Sequence, residues 1–507
     1  MARTHAGLSS LVPAILKSLD RTLGADLAPE LTTPNGKVLV DMMRRLLRWS
    51  VVEIERHQSL YERRIEEGAA ALRGTAEKIS DAGNGSNDPH TSGLYETPTP
   101  VERRYFHEAE QVAQAWIAEL RGSSTATARS LAPRLRGLIE AEARFHAALD
   151  PESAADIASA FHGGRSTEAE DQFKSHLVTP EALNAYLRRR FPESPRVAAR
   201  DLQLLTGGMG KDTYLFELDG HPNWSGPVVM RKDFPILALD VSAVAEFALI
   251  QAVHAAGVKA PEPLWAEYAP EALGTRFIVV RRARGSAALS HDVSDERIRR
   301  HFADKLAEGL AAIHNLELQK MEQFREAAGK SVPDVLREQI AGWKTFWRRK
   351  RLEPSVKLEL AFAWLEANIP ADPGYAPTLV HGDYGFHNLM MEGGEVTAIL
   401  DWEFAHVGDP AEDMNYCRQF IARYVPFEFF LDCYRSRGGK PYADDQDRFF
   451  TVWRNVRNAV ASVGALRAFC EETPGNIKMA TAGLAYNPRF ELEAMRLIAG
   501  YLETAPG

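Results

Sequence analysis

Two aspartates and an asparagine stand at the ends of short apolar runs in LVHGDYGFHNLMMEGGEVTAILDWE, residues 379–403. The turn-like EGGE, residues 392–395, predicts a hairpin that brings Asn388 and Asp401 to one end of two strands, with Asp383 on the preceding loop. Burying a carboxylate is costly unless it is paired or binds a cation. Magnesium needs one or two protein oxygens and completes its octahedron with phosphate and water. Magnesium therefore fits these three oxygen-bearing side chains, with one carboxylate that the ion does not need.

The composition of the 507-residue chain excludes several other classes of protein. Its hydrophobic content of 45% and charged content of 25% are typical of folded domains, and its length predicts more than one of them. A net charge of -9, without a long basic run, disfavours a nucleic-acid or anionic-membrane partner. Three cysteines without C-x-x-C spacing favour a reducing compartment. Because we find neither a signal-peptide pattern nor a long apolar stretch, we expect a cytoplasmic protein.

The pattern of apolar residues divides the chain into three regions. Helical spacing of apolar residues predicts an all-α N-terminal domain of unknown role over residues 1–165, with a flexible, Gly-rich linker near 80–97. Short β-like runs and one helix, which ends at Gly257, predict a small antiparallel sheet over residues 178–285. Residues 286–507 are mostly helical apart from the opening stretch and would carry the catalytic loop and the acceptor site. We therefore predict an α+β, bilobal fold behind a helical domain.

The pattern H-G-D-x4-N followed by D-W-E and G-D-P resembles the aminoglycoside phosphotransferase and choline kinase-like family of the protein-kinase-like superfamily. LDWEFAHVGDPAEDMNY is especially similar to the branch that includes the kinase domains of the acyl-CoA dehydrogenase 10 and 11 proteins. The resemblance covers roughly residues 178–507. It implies a protein-kinase-like fold and the transfer of phosphate from ATP, with Mg²⁺, to an alcohol.

The same resemblance implies a role for each residue of the catalytic segment. Asp383 would orient the acceptor hydroxyl and take its proton, and Asn388 and Asp401 would bind magnesium. His381 would support the loop from behind. Asp409 would hold the loop through hydrogen bonds or, as the alternative, would cap the turn before the next helix.

A kinase also needs a loop that covers the phosphates, and LLTGGMGKDTYLF, residues 204–216, lies at the corresponding place. Its glycines allow the backbone to approach phosphate, although the spacing is not that of a Walker A motif. The residues that this loop would contribute to nucleotide binding are Gly207, Gly208, Gly210 and Lys211.

The strand PVVMRKDF would carry the cation for the α- and β-phosphates. Strand alternation sends Arg231 and Lys232 to opposite faces, and alignment with the V-A-I-K template selects Arg231. The alternative is that both cations face solvent. Glu246, on the following helix, would pair with Arg231, and the backbone around Arg281 and Ala283 would contact adenine.

The catalytic loop departs from its relatives at two positions. Related loops often read HGDYR-x-DN, whereas this chain has Gly385 and His387 at the Arg and Asp positions. A cation that could neutralise the transferred phosphate is therefore missing, and Lys211 or His387 could replace it. The substitutions also leave the acceptor open.

Three functions remain as hypotheses. The leading one is a kinase of a small hydroxylated metabolite, such as a catabolic alcohol or a hydroxyacyl-CoA, using ATP or GTP. An aminoglycoside-type antibiotic kinase is disfavoured because arginines balance the acidic residues around 444–472. A non-catalytic nucleotide-binding scaffold is the third. The N-terminal helices would form a homodimer, regulate the enzyme or pack on it.

Overall fold

The computed structural model describes residues 16–21, 23–24, 28–30, 34–72, 125–149, 178–205, 210–287, 295–352, 355–471 and 477–504. The linker predicted near residues 80–97 and the glycines Gly207 and Gly208 lie outside the described residues. The chain forms two compact units. We call them the helical unit (Met1–Gly164, Ile340–Asn368 and Asn455–Gly507) and the α+β unit (Arg165–Gln339 and Ile369–Arg454).

The described α-helices, in chain order, are α1 (Pro34–Leu72), α2 (Thr125–Leu149), α3 (Pro180–Arg190), α4 (Ala243–Ala255), α5 (Glu296–His314), α6 (Arg325–Ala328), α7 (Val332–Lys350), α8 (Val356–Ala367), α9 (Ala411–Ile421), α10 (Phe427–Arg435), α11 (Asp444–Glu471), α12 (Ile477–Thr481) and α13 (Asn487–Thr504). The strands are β1 (Ala198–Leu205), β2 (Lys211–Asp219), β3 (Gly226–Asp233), β4 (Pro263–Glu267), β5 (Phe277–Arg281), β6 (Ser286–Ala287), β7 (Thr378–Val380), β8 (Leu389–Glu392), β9 (Glu395–Ile399) and β10 (His406–Gly408). The chain passes from one unit to the other within α7 and within α11.

The α+β unit begins with a five-stranded antiparallel sheet in the order β1-β2-β3-β5-β4. Helix α3 precedes the sheet and starts as the sequence predicts, because the Thr179 side chain accepts a hydrogen bond from the Ala182 N–H at 3.2 Å. Helix α4 packs on β4 and β5 and ends before Gly257, whose φ of +87° is the left-handed conformation expected after a helix. The predicted small antiparallel sheet with one helix is confirmed.

The β8–β9 hairpin confirms the arrangement predicted from EGGE. Gly393 and Gly394 have φ of +60° and +86°, which two-residue hairpin turns require and which glycine adopts without strain. Leu389 pairs with Ile399, and the Leu400 N–H donates to the Asn388 carbonyl at 2.7 Å. The hairpin thus brings Asn388 beside the residue that precedes Asp401.

In the helical unit, segments that are far apart in the sequence pack together. Helix α2 packs against α1 and α13, and α13 also packs against α8. The buried cluster Leu60, Tyr61, Phe145 and Leu149 joins α1 to α2. The contacts follow from the apolar stripes of these helices, which need a partner to leave water.

The helical unit also buries a balanced set of charges. Arg64 and Glu142 form two parallel hydrogen bonds of 2.7 and 2.8 Å, and Lys357 contacts both Glu142 and Glu491, the latter at 3.2 Å. All four side chains are at most 6% exposed. Two cations and two carboxylates compensate each other, which is the condition for burying charge.

The predicted α+β fold with a helical N-terminal region is confirmed. A small antiparallel sheet is followed by mostly helical structure, into which β7 to β10 insert the catalytic segment. None of the helices in the described part of the chain combines the length and apolar character that crossing a bilayer requires.

Candidate active site

The loop between β7 and β8 places the predicted base. Gly382 has φ of +80°, so the chain turns sharply after His381 in a conformation that favours glycine. A short 3-10 turn, Phe386–Asn388, then leads into β8 and returns the chain toward Asp383. The five-residue spacing of Asp383 and Asn388 is therefore the span of one compact loop.

The Asp383 carboxylate is held by hydrogen bonds to both of its oxygens. Asn388 Nδ2 donates to Oδ2 at 2.8 Å and to the Asp383 carbonyl at 2.9 Å, while His387 Nε2 lies 3.3 Å from Oδ1. Burial favours a higher pKa for Asp383. The charge of His387 and the hydrogen bonds from His387 and Tyr416 outweigh it and hold that pKa below its ordinary range. Asp383 is thus an ionised carboxylate that can accept a proton.

Asp401 and the cations of the sheet form one chain of ion pairs. Arg231 bridges two carboxylates, with one terminal nitrogen 2.7 Å from Asp401 Oδ1 and the other 2.9 Å from Glu246 Oε1. The pairing predicted for Arg231 and Glu246 is present, and Lys232 is buried on the opposite face of β3. Burial would raise the pKa of Asp401, but the Arg231 charge lowers it. Asp401 takes the left-handed backbone conformation, with φ of +67°.

The side chains of Asn388 and Asp401 fit a magnesium ion that is shared with phosphate. Asn388 uses its amide nitrogen toward Asp383, which leaves its amide oxygen for a cation. Asp401 contributes the carboxylate from the adjoining end of the hairpin. Among the described residues no three His, Cys, Asp or Glu side chains cluster as a metal site. The donor set therefore suits Mg²⁺, which retains phosphate and water ligands, rather than a fully protein-caged metal.

Glu403 is a member of the site that the sequence analysis missed. The amino group of Lys211 lies 2.8 Å from Glu403 Oε2 and 3.3 Å from Glu246 Oε2, and its side chain is only 2% exposed. A Cβ on Gly210 would lie 3.0 Å from Glu403 Oε2, so glycine gives the carboxylate room. Burial and the charge of Asp401 raise the pKa of Glu403. The D-W-E pattern contains Glu403, but only the fold shows that it faces Lys211.

His381 supports the loop from behind, as predicted. Its ring is fully buried, with Nδ1 accepting the Asp383 N–H at 3.3 Å and Nε2 lying 3.0 Å from the Leu400 carbonyl. These partners require an acceptor Nδ1 and a donor Nε2, which is one neutral tautomer. Burial lowers the pKa of His381, in keeping with a neutral ring. His381 therefore ties the catalytic loop to the residue before Asp401.

The predicted loop-bracing role of Asp409 is wrong, and Asp413 performs it. Asp413 accepts the backbone N–H groups of His381 at 2.7 Å and Gly382 at 2.8 Å, and His314 lies 3.1 Å away. Asp409 instead accepts the Ala411 N–H at the start of α9, at 2.9 Å. The alternative of a cap was correct, because Asp409 precedes the helix, whereas Asp413 lies one turn into it and faces the loop.

Asp409 also anchors side chains from two other segments. It accepts hydrogen bonds from the Tyr375 hydroxyl at 3.0 Å and from the Gln446 amide at 2.8 Å. Burial raises the pKa of Asp409. It therefore joins the start of α9 to α11 rather than to the catalytic loop.

Arg281 and Ala283, the two residues predicted to contact adenine, differ in position, because only Arg281 belongs to a strand. The Arg281 N–H donates to the Glu262 carbonyl at 2.8 Å, within the sheet, and the Arg281 side chain lies 3.4 Å from Glu262 Oε2. Ala283 lies two residues beyond the end of β5. The contact of Ala283 with adenine stays a prediction.

A family model described as "Phosphotransferase enzyme family" (APH) matches residues 201–444. This range contains the ion pairs of β2 and β3, the catalytic loop, Asp401 and Asp413. Acyl-CoA dehydrogenase family member 11 of Gallus gallus is 27% identical over 257 residues, which are 49% of this chain and 32% of that protein. Acyl-CoA dehydrogenase family member 10 of Mus musculus is 28% identical over 291 residues, 55% of this chain and 26% of that protein.

The match thus spans about a third or less of the length of these curated relatives. Among solved structures, macrolide 2'-phosphotransferase MphH from Brachybacterium faecium aligns with 21% identity and a TM-score of 0.40. The alignment covers 61% of this chain and 99% of that one.

Proposed function

Because a phosphotransferase family model matches residues 201–444, we propose that this protein is an ATP- and Mg²⁺-dependent kinase that phosphorylates a hydroxyl group of a small metabolite. The observation that carries the proposal is one continuous set of contacts. Asp383 binds Asn388, the Asn388 backbone binds the residue before Asp401, and Asp401 binds Arg231. A general base, a cation-binding pair and a phosphate-binding cation therefore adjoin, which phosphoryl transfer requires.

The base of the reaction is Asp383. Its lowered pKa keeps the carboxylate ionised, so it accepts the proton of the acceptor hydroxyl as the oxygen attacks the terminal phosphate. Magnesium bound by Asn388 and Asp401 would neutralise charge on the phosphates. Transfer of this kind depends on positioning and charge neutralisation rather than on a covalent enzyme intermediate.

The nucleotide side is assigned to the sheet. Arg231 would be the cation that binds the phosphates, and Glu246 fixes its orientation. Lys211, at the start of β2, supplies a second cation next to it, as the predicted phosphate-covering loop requires. Ala283 would offer backbone groups to the adenine. Gly210, with Gly207 and Gly208, would let the loop approach the phosphates.

For the acceptor, we propose a hydroxylated acyl compound such as a hydroxyacyl-CoA, or a related alcohol. The relatives carry the name acyl-CoA dehydrogenase family members, which motivates testing acyl-linked compounds first. A polycationic antibiotic would need free carboxylates on the acceptor side. Among the acidic residues around 444–472, Asp447 is already compensated, because it pairs with Arg418 at 2.6 Å and accepts a hydrogen bond from Tyr442.

The test is an ADP-release assay with ATP and Mg²⁺ against a panel of short-chain alcohols, 3- and 4-hydroxyacyl-CoAs, an aminoglycoside and a macrolide. We expect Mg²⁺-dependent turnover on a hydroxyacyl compound, with the product phosphorylated on oxygen. The variant Asp383→Asn should lose at least about 100-fold in kcat, because it removes the base. The matched control is Asp432→Asn, an exposed aspartate on α10 whose side chain is 75% exposed.

Two outcomes would contradict the proposal. Turnover on the aminoglycoside alone would show that the acceptor is an antibiotic and not a hydroxyacyl compound. Binding of AMP-PNP with no turnover on any acceptor would favour the scaffold hypothesis, which the substitutions Gly385 and His387 motivate.

We also propose that the main binding partner is the small-molecule acceptor, and that the protein binds neither nucleic acid nor a membrane. We propose the cytoplasm as its location. The N-terminal helices, within residues 1–165, are the candidate interface for a homodimer. Light scattering coupled to size exclusion would give the mass directly, and a monomer at all concentrations would remove the dimer proposal.

A further inference from the structure

The two departures in the catalytic loop, Gly385 and His387, depend on each other in space. Gly385 has an extended backbone, with φ of -162° and ψ of 171°, which any residue can adopt. A Cβ at this position would lie 2.7 Å from His387 Cε1 and 2.9 Å from His387 Nδ1. It would also lie 3.3 Å from Phe420 Cε2. Glycine is therefore required here for space, because the His387 ring occupies the volume that a side chain would take.

The His387 imidazole, which occupies this space, contacts the carboxylate of Asp383, the proposed base. His387 and Asp383 are four residues apart across the 3-10 turn, and His387 Nε2 is 3.3 Å from Asp383 Oδ1. Asn388 binds the other oxygen, Oδ2, at 2.8 Å. Donors on both oxygens fix the plane of the carboxylate. Hydrogen bonds of catalytic groups often tighten further when substrate is bound.

Helix α9 holds the other side of the ring. The Phe420 ring centroid is 5.3 Å from that of His387, and the Tyr416 centroid is 6.4 Å away. Tyr416 also donates a hydrogen bond to Asp383. The imidazole is thus enclosed by Gly385, Phe420 and Tyr416, and its orientation is defined by packing as well as by Asp383.

We propose that Gly385 and His387 are a coupled pair that positions the Asp383 carboxylate for proton abstraction. His387 is a positioning residue, since it acts through Asp383, and Gly385 serves it by leaving room for the ring. The inference rests on the proposed kinase function. It explains why two positions of the loop differ together from the related HGDYR-x-DN pattern: an arginine at 385 and this histidine cannot share the same volume.

The test is a double-mutant cycle of the full chain with Gly385→Ala, His387→Ala and the double variant. We expect each single variant to lower kcat about 10- to 100-fold, because small misplacements of a catalytic group have effects of this order. In Gly385→Ala the ring has to leave its place, so the double variant should be no slower than His387→Ala alone. The coupling between the two substitutions is then nearly as large as the effect of Gly385→Ala alone on kcat.

A second pair of variants separates positioning from folding. His387→Gln keeps a nitrogen donor near the place of Nε2, whereas His387→Leu keeps the bulk without a donor. We expect Gln to retain kcat within a few-fold of the native enzyme and Leu to lose it. The KM for ATP, the Kd for AMP-PNP and the melting temperature should stay unchanged in both.

The outcomes distinguish this inference from the proposed function. If the native enzyme turns over and the two single variants have independent, multiplicative effects, the coupled pair is wrong while the kinase remains. Equal losses in the Gln and Leu variants would overturn it in the same way. If the native enzyme shows no phosphotransfer on any acceptor, the proposed function fails and this inference fails with it.

Discussion

At the scale of single residues, Arg231 illustrates how one side chain organises the nucleotide side. Its two terminal nitrogens contact Asp401 and Glu246 at 2.7 and 2.9 Å. Burial would lower the pKa of Arg231, but the charges of Glu246 and Asp401 raise it, so the guanidinium stays charged. A lysine has one charged nitrogen and cannot span both carboxylates in the same way.

We therefore expect Arg231→Met to weaken AMP-PNP binding about 10- to 100-fold, since it removes charge-assisted hydrogen bonds to phosphate. Arg231→Lys should have an intermediate effect. Isothermal titration calorimetry with Mg²⁺ would measure both. Arg200→Met, on β1 of the same sheet and 68% exposed, is the control. An affinity equal to that of the native protein in Arg231→Met would show that another group binds the phosphates.

The buried charges of the helical unit lead to a prediction about stability. Glu142 lies between Arg64 and Lys357 and is 3% exposed. Glu142→Gln removes the carboxylate that Arg64 and Lys357 share, so we expect the free energy of unfolding at neutral pH to fall by about 3–5 kcal/mol. Chemical denaturation followed by circular dichroism would measure this loss.

The same substitution has a defined pH dependence. Burial favours a higher pKa for Glu142, but Arg64 and Lys357 hold it well below the ordinary value of 4.5. A lowered folded-state pKa gives stability that is fully present above about 4.5 and is lost as the pH falls toward the folded pKa. The difference between native protein and Glu142→Gln should therefore be constant above this pH and shrink below it.

Glu503→Gln is the matched control in the same unit. Arg136 and Glu503 also form a two-bond pair, with both contacts at 2.6 Å, but on the surface. Exposed pairs contribute little, so the unfolding midpoint should hardly move. Equal losses from Glu142→Gln and Glu503→Gln would contradict the importance of burial.

At the scale of elements, the first turn of α9 holds the catalytic loop in place. Asp413 accepts two consecutive backbone N–H groups, of His381 and Gly382, and contacts His314, which in turn lies 2.7 Å from the Tyr434 hydroxyl. The loop, α9, α5 and α10 are thus connected through one carboxylate.

We expect Asp413→Asn to lower kcat about 100-fold, because the amide nitrogen meets a backbone donor and the loop that carries Asp383 moves. Hydrogen exchange of the loop amides should become faster. Asp409→Asn, four residues earlier, keeps an oxygen for the Ala411 N–H and should change kcat less. A larger effect of Asp409→Asn would restore the loop-bracing role first predicted for that residue.

The elements of the site show what the sequence can predict. The spacing of Asp383, Asn388 and Asp401 was sufficient to predict that they lie close together, because a hairpin has few ways to place its ends. Alternation along β3 separates Arg231 from Lys232, and alignment with the V-A-I-K template then selected Arg231. Asp413 and Glu403 were missed because their partners, the loop amides and Lys211, are remote in the chain. Local patterns do not encode which of several acidic residues faces such a partner.

At the scale of the whole molecule, the sequence analysis treated the chain as three consecutive regions. The compact units are instead discontinuous, because residues 340–368 and 455–507 belong with the N-terminal helices. Nothing in the spacing of α8 or α13 distinguishes a helix that packs on α2 from one that packs within the α+β unit. Their apolar stripes require a partner but do not identify it.

This discontinuity predicts the result of removing the N-terminal region. A chain of residues 178–507 keeps α8 and α13 but loses α2, so the part of the buried face of α13 that packs on α2 becomes exposed; the buried apolar residues of α13 include Leu492, Met495, Ile498, Ala499 and Leu502. Each large side chain that becomes exposed loses about 1.5–3 kcal/mol of burial. Lys357 also loses Glu142. We expect the shortened chain to associate, to bind the dye ANS and to unfold without a sharp transition.

Supplying residues 1–164 as a separate chain is the matched control, and it should restore a cooperative transition because it returns the missing partners of α8 and α13. The measurements are light scattering, ANS fluorescence and thermal unfolding, each with and without the added fragment. A shortened chain that stays monomeric and unfolds as sharply as the full protein would mean that α8 and α13 need no N-terminal partner. In that case residues 1–164 would form an independent domain. If the prediction holds, the N-terminal region is part of a structure that the C-terminal helices require, because burial of an apolar face is shared by both helices that contact it.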